Sequence, residues 1–75
     1  MTMSDNARLA STKCGVARRT AAFFAGKHDA LIASNPPHDY ATIAQFARDY
    51  AKSLPGPYRA DAAQAYRHGY KVGSR

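Results

Sequence analysis

The chain has 75 residues, enough for one domain with a modest core, and its single cysteine, Cys14, excludes an internal disulfide and a cysteine-based zinc site. Eleven Lys and Arg face five acids, a net charge of +6, and every acid is Asp: Asp5, Asp29, Asp39, Asp49 and Asp61. Without Glu, the Glu–Lys ladders that neutralise a helix face are missing, so basic residues stay available to nucleic acid, an anionic membrane surface or an acidic protein patch.

Large aliphatic residues are few: Leu9, Val16, Leu31, Ile32, Ile43, Leu54 and Val72. Phe23, Phe24, Phe46 and the five tyrosines must supply much of the remaining buried area, because alanine favours helix but buries little per residue. A core this weak makes a homodimer, or stabilisation by a partner, an even expectation. Pro36-Pro37 and Pro55-Gly56-Pro57 then cut the chain into three helical stretches.

The first stretch spans about 6–33, with Ser4 or Asp5 as cap. On a helical wheel, Ala10, Cys14, Ala17, Ala21, Phe24, His28 and Leu31 form one stripe, spaced alternately by four and three, and predict the buried side. Leu9, Val16 and Phe23 flank it. Gly15 and Gly26 fall on the opposite, polar face near Arg8 and Arg19. Each glycine costs a helix about 1 kcal/mol relative to alanine, which leaves open whether the helix is continuous through Gly26 or splits there, with 27–34 a separate turn; Asn35 is the stop.

The second stretch spans about 40–53, capped by Asp39. Tyr40, Ile43, Phe46, Ala47, Tyr50 and Leu54 make its apolar face, opposite Gln45, Arg48, Asp49 and Lys52. The third spans about 57–72, with Pro57 at its first position and Asp61 in its first turn, where the helix dipole favours an acid. Tyr58, Ala62, Ala65, Gly69 and Val72 make its inner side. Arg67, Lys71 and Arg75 align along an outer edge, with Arg59, Tyr66 and Tyr70 at the border. The fold class is all-α: one domain over 1–75, a small three-helix bundle or a helical hairpin plus a third helix, open to homodimer formation.

No catalytic pattern stands out. His28-Asp29 and His38-Asp39 lack the distant ligands that a metal-dependent hydrolase needs, and Asp39 is accounted for as a cap. Cys14 lies on the apolar stripe and reads as a small buried hydrophobe rather than a nucleophile. A bundle of this size has little room for a concave active site. The expectation is no enzyme, no cofactor and no metal.

The run Ala41-Thr-Ile-Ala-Gln-Phe-Ala-Arg-Asp resembles the opening helix of a helix-turn-helix. The chain then continues through Tyr50-Ala51-Lys52 to Pro-Gly-Pro, where that motif has a glycine turn, which argues against specific DNA reading. The basic edge remains. For single strands, tyrosines stack bases while Arg and Lys hold phosphates; at protein interfaces, Tyr and Arg are enriched among hot spots. A third account has Tyr58, Tyr66 and Tyr70 closing an aliphatic-poor core with their hydroxyls outward, which would remove them from any contact list.

The segment Ala65-Tyr-Arg-His-Gly-Tyr-Lys-Val-Gly73 resembles the basic Gly-Tyr-x-x-Gly segment of the bacterial ribosome modulation factor family, which implies ribosome binding. In style the chain is similar to the short Ala/Arg-rich accessory proteins of temperate phages, many of which bind and inhibit a host protein. The function expected is a small, soluble, cytoplasmic, non-enzymatic regulator or inhibitor that docks on an acidic protein surface. Arg59, Tyr66, Arg67, Tyr70, Lys71 and Arg75 are its expected contacts. Nucleic acid or the ribosome, gripped by the same edge, is the alternative partner. No membrane span is expected, since the longest unbroken apolar run is 21–25.

Overall fold

The computed structural model describes residues 13–75, which form three helices and no strand: α1 (Lys13–Ile32), α2 (Tyr40–Ala51) and α3 (Gly56–Gly73). The expected helix start at Asn6, its cap at Ser4 or Asp5, and Leu9 and Ala10 of the stripe lie outside the described residues. α3 is the central element; α1 packs along one side of it and α2 along the other, while α1 and α2 hardly meet. Among the described residues, no helix is long and apolar enough to cross a membrane.

α2 starts as the sequence implies. The Asp39 carboxylate accepts the Thr42 amide at 2.9 Å and the Thr42 hydroxyl at 2.5 Å, and those bonds hold its pKa below the ordinary value. α3 begins one residue before Pro57, after extended Pro55. Asp61 therefore lies beyond the first turn, and its partner is Arg19 of α1 at 3.1 Å rather than the helix dipole.

α1 runs unbroken through Gly26, a point the sequence leaves open, and its packing corrects the sequence reading. Its buried side is the glycine face: Gly15, Ala22, Gly26 and Ala30 are buried, whereas Cys14, Ala17, Ala21, Phe24, His28 and Leu31 are all exposed. The reason is close approach to α3. A Cβ at Gly26 would overlap the Tyr66 carbonyl oxygen and lie 3.0 Å from the Tyr70 nitrogen. A Cβ at Gly69 would overlap the Phe23 carbonyl oxygen, and one at Gly73 would sit 2.5 Å from the Lys27 carbonyl oxygen. The pattern Ala22-x3-Gly26-x3-Ala30 thus meets Gly69-x3-Gly73, and each backbone packs into the space the other leaves empty. Dispersion and weak Cα–H···O contacts replace side-chain interdigitation at such a seam. Hydropathy gives glycine little weight, so a wheel misses a surface defined by missing side chains.

The core that results is built from small residues and tyrosine. Ala22, Ala30, Ala47, Ala51, Ala62, Ala63 and Ile43 surround Tyr66 and Tyr70, which are 3% and 2% exposed. The Tyr66 ring stacks on Tyr50 at 5.1 Å and on Tyr70 at 6.2 Å. On α2 the inner face is turned toward Ile43, Ala44, Ala47 and Ala51, leaving Tyr40 and Phe46 exposed. Val16, Phe24, Leu31 and Ile32 are exposed as well, so much of the large apolar surface is outside while alanine fills the inside.

Candidate cationic cleft between α2 and α3

The six expected contact residues separate into groups. Tyr66 and Tyr70, expected at the border, are core residues, almost wholly covered and turned away from the Arg67–Lys71 edge. The close α1–α3 seam draws that side of α3 inward and takes both rings with it. The Tyr66 hydroxyl donates to the Asp29 carboxylate. Burial first, then Asp29, raises the phenol pKa of Tyr66 well above its ordinary value; Tyr70 shifts the same way for the same causes.

Arg59 is exposed but committed. Its Nε donates to the Leu54 carbonyl at 2.8 Å and its second guanidinium nitrogen to the Lys52 carbonyl at 3.2 Å. These bonds serve carbonyls that the end of α2 leaves without intrahelical donors. Arg59 also precedes Arg67 by two helical turns, about 12 Å along the axis.

Arg67 and Lys71 are the pair that the fold brings together. One turn apart on α3, they line a cleft of about 200 Å³ with Ile43, Tyr40 and His38. The Arg67 guanidinium lies over the Tyr40 ring, 5.6 Å from its centre. Ile43 forms an apolar floor, and Tyr40, 71% exposed, forms one wall. Arg75, expected on the same edge, lies beyond the end of α3, which stops at Gly73 with Ser74 as its C-cap, and does not line the cleft. Tyr40 and His38 were missed because the periodicity of α2 assigned Tyr40 to its core face. The available signal was position: the first residue after an N-cap projects past the end of the packed surface.

Among the described residues, no acid lines the cleft. Among the described residues, each acid is engaged elsewhere: Asp29 with Tyr66, Asp39 with Thr42, Asp49 with Lys52 and Gln45, and Asp61 with Arg19. No ion pair within the described residues reaches Arg67, Lys71 or Arg75. The cleft is therefore a positive, partly apolar notch whose charges no described residue neutralises.

A second, open groove of about 760 Å³ runs between α1 and α2. Phe46, Tyr50, Tyr66 and Tyr70 line it, with Asp29 and Asp49 among them. Its sign is opposite to that of the cleft, and Asp49 is already neutralised by Lys52 at 3.1 Å. No group of three His, Cys, Asp or Glu able to hold a metal ion occurs among the described residues. No protein-family model, curated protein or solved structure matches the chain.

Proposed function

We propose that this protein is a non-enzymatic regulator that binds stoichiometrically to an acidic surface of another protein through the α2–α3 cleft. The observation that supports this most is the side-by-side placement of Arg67 and Lys71 over an apolar floor, with no ion pair to either among the described residues. Arg67 is half-buried and its plane is held against Tyr40, so its fork is partly fixed before binding. A carboxylate entering the notch would receive charge-assisted hydrogen bonds from Arg67 and Lys71, while an adjacent apolar side chain would rest on Ile43.

Burial of Tyr66 and Tyr70 weighs against the alternative partner. Base stacking along this edge needs aromatic faces, and Tyr40 alone remains there, with Arg67 over it. The Gly-Tyr-x-x-Gly likeness to the ribosome modulation factor family also has a structural use in this chain, since Gly69 and Gly73 form the α1–α3 seam.

The test is capture of partners from cell lysate, with and without nuclease, by the natural chain and by the double variant Arg67→Glu, Lys71→Glu. Retention of one protein after nuclease treatment, lost in the variant while helicity is kept, is the expected result. Equal capture by the variant would remove the cleft as the contact. Loss of capture on nuclease treatment would transfer the assignment to nucleic acid.

A further inference from the structure

We propose that the outer face of α1 pairs with the same face of a second copy of this chain, the two helices running antiparallel. Cys14, Ala17, Ala21, Phe24, His28 and Leu31 recur at spacings of three and four, the pattern of a two-stranded helical seam, and every one of them is exposed. Phe24 is 58%, Leu31 62% and Ile32 67% exposed. The opposite side of α1 is already packed against α3 through Gly26 and Ala30. A helix apolar on two sides has a second side to bury, and an uncharged exposed patch of this kind marks an association surface.

Charge and size select a second copy as the occupant. The wheel arc through the stripe from Cys14 to Leu31 contains no Asp, Glu, Lys or Arg, and its one basic side chain is His28, 4.0 Å from the Asp29 carboxylate at the margin. Arg18 borders the stripe at one end, its Nε donating to Cys14 Sγ at 3.3 Å and its guanidinium over the Tyr58 ring at 4.7 Å, and Lys27 lies at the opposite margin. The middle of the stripe, Ala17, Ala21 and Phe24, offers an acidic partner no counter-charge, whereas such an apolar centre loses nothing by meeting its own image. The stripe is small in its first half and large in its second. Antiparallel pairing sets Cys14 against Leu31 of the second copy, Ala17 against His28, and Ala21 against Phe24. Every layer then holds one small and one large side chain, which gives a uniform helix separation. Parallel pairing would put Phe24 on Phe24 and Ala17 on Ala17, splaying one end and leaving a gap at the other. The antiparallel contact is isologous, as a two-fold dimer requires.

This surface is separate from the Arg67–Lys71 cleft, so the two proposals stand or fall apart. Sedimentation over a wide concentration range is expected to show a reversible dimer. Ala21→Glu, an exposed helical position where glutamate keeps helix propensity, is expected to abolish the dimer with the circular dichroism unchanged. It should leave capture through the cleft intact. Register is read with Leu31→Cys, an exposed position. Under oxidised glutathione this variant should form a covalent dimer, its introduced thiol bonding to Cys14 of the second copy, while the natural chain forms none. A chain that sediments as a monomer at every concentration overturns the proposal. So does a dimer unaffected by Ala21→Glu, or efficient Cys14-to-Cys14 cross-linking of the natural chain, which would mean parallel helices.

Discussion

The carbonyl oxygen of Tyr66 fills the space in which a side chain at Gly26 would begin, and the carbonyl of Phe23 does the same at Gly69. Neither obstacle is a flexible side-chain end; both are backbone atoms inside helices, so relief requires α1 and α3 to separate. Gly26→Ala and Gly69→Ala should each destabilise the fold by about 3 kcal/mol, at the upper end for overpacking, despite alanine's better helix propensity. Gly56→Ala meets nothing within 4 Å and should be neutral or slightly stabilising. Urea unfolding of the three variants checks the contrast.

The Tyr66–Asp29 hydrogen bond ties the middle of α3 to the last turns of α1. Tyr66 holds its proton more tightly folded than unfolded, because burial and Asp29 both disfavour the phenolate. The stability this contributes is complete below the unfolded phenol pKa, about 10, and is lost as the pH rises above it. Thermal midpoints should therefore fall steeply through alkaline pH. Tyr66→Phe should flatten that slope while costing about 1 kcal/mol at neutral pH, and an alkaline slope equal to that of the natural chain would contradict the assignment.

Arg59 and Arg67 belong to the same helix but should fail in different assays. Arg59→Ala removes the donors to the Leu54 and Lys52 carbonyls and should cost about 1 kcal/mol of stability with partner binding unchanged. Arg67→Ala should weaken binding with little change in the thermal midpoint. Calorimetric unfolding and titration with the captured partner, run on both variants, separate the two roles.

Arg19 and Asp61 pair across the α1–α3 seam at 3.1 Å, each about a third exposed. A double-mutant cycle with Arg19→Ala and Asp61→Ala should give a coupling of roughly 0.5 kcal/mol that shrinks in high salt. A coupling insensitive to salt would mean that packing, not charge, joins the two positions.

Sequence alone determined the all-α class, the breaks at the two proline clusters, the Asp39 cap and the excess of bases over acids. Those features are local: proline stops a helix wherever it stands, a capping carboxylate bonds amides three residues away, and a chain without Glu leaves bases without near partners. Tertiary structure alone decided which face of α1 turns inward. Hydropathy pointed to Phe24 and Leu31, but Gly26 and Gly69 let two backbones meet, and only small residues fit at that distance. The same approach carried Tyr66 and Tyr70 into the core and left the expected stripe outside. Tyr40 and His38 entered the cleft for a related reason, since which residues overhang a packed surface depends on where the neighbouring helix lies. The stripe on α1 was legible as apolar periodicity from the start; that it points outward follows from which side of the helix the glycines had already claimed.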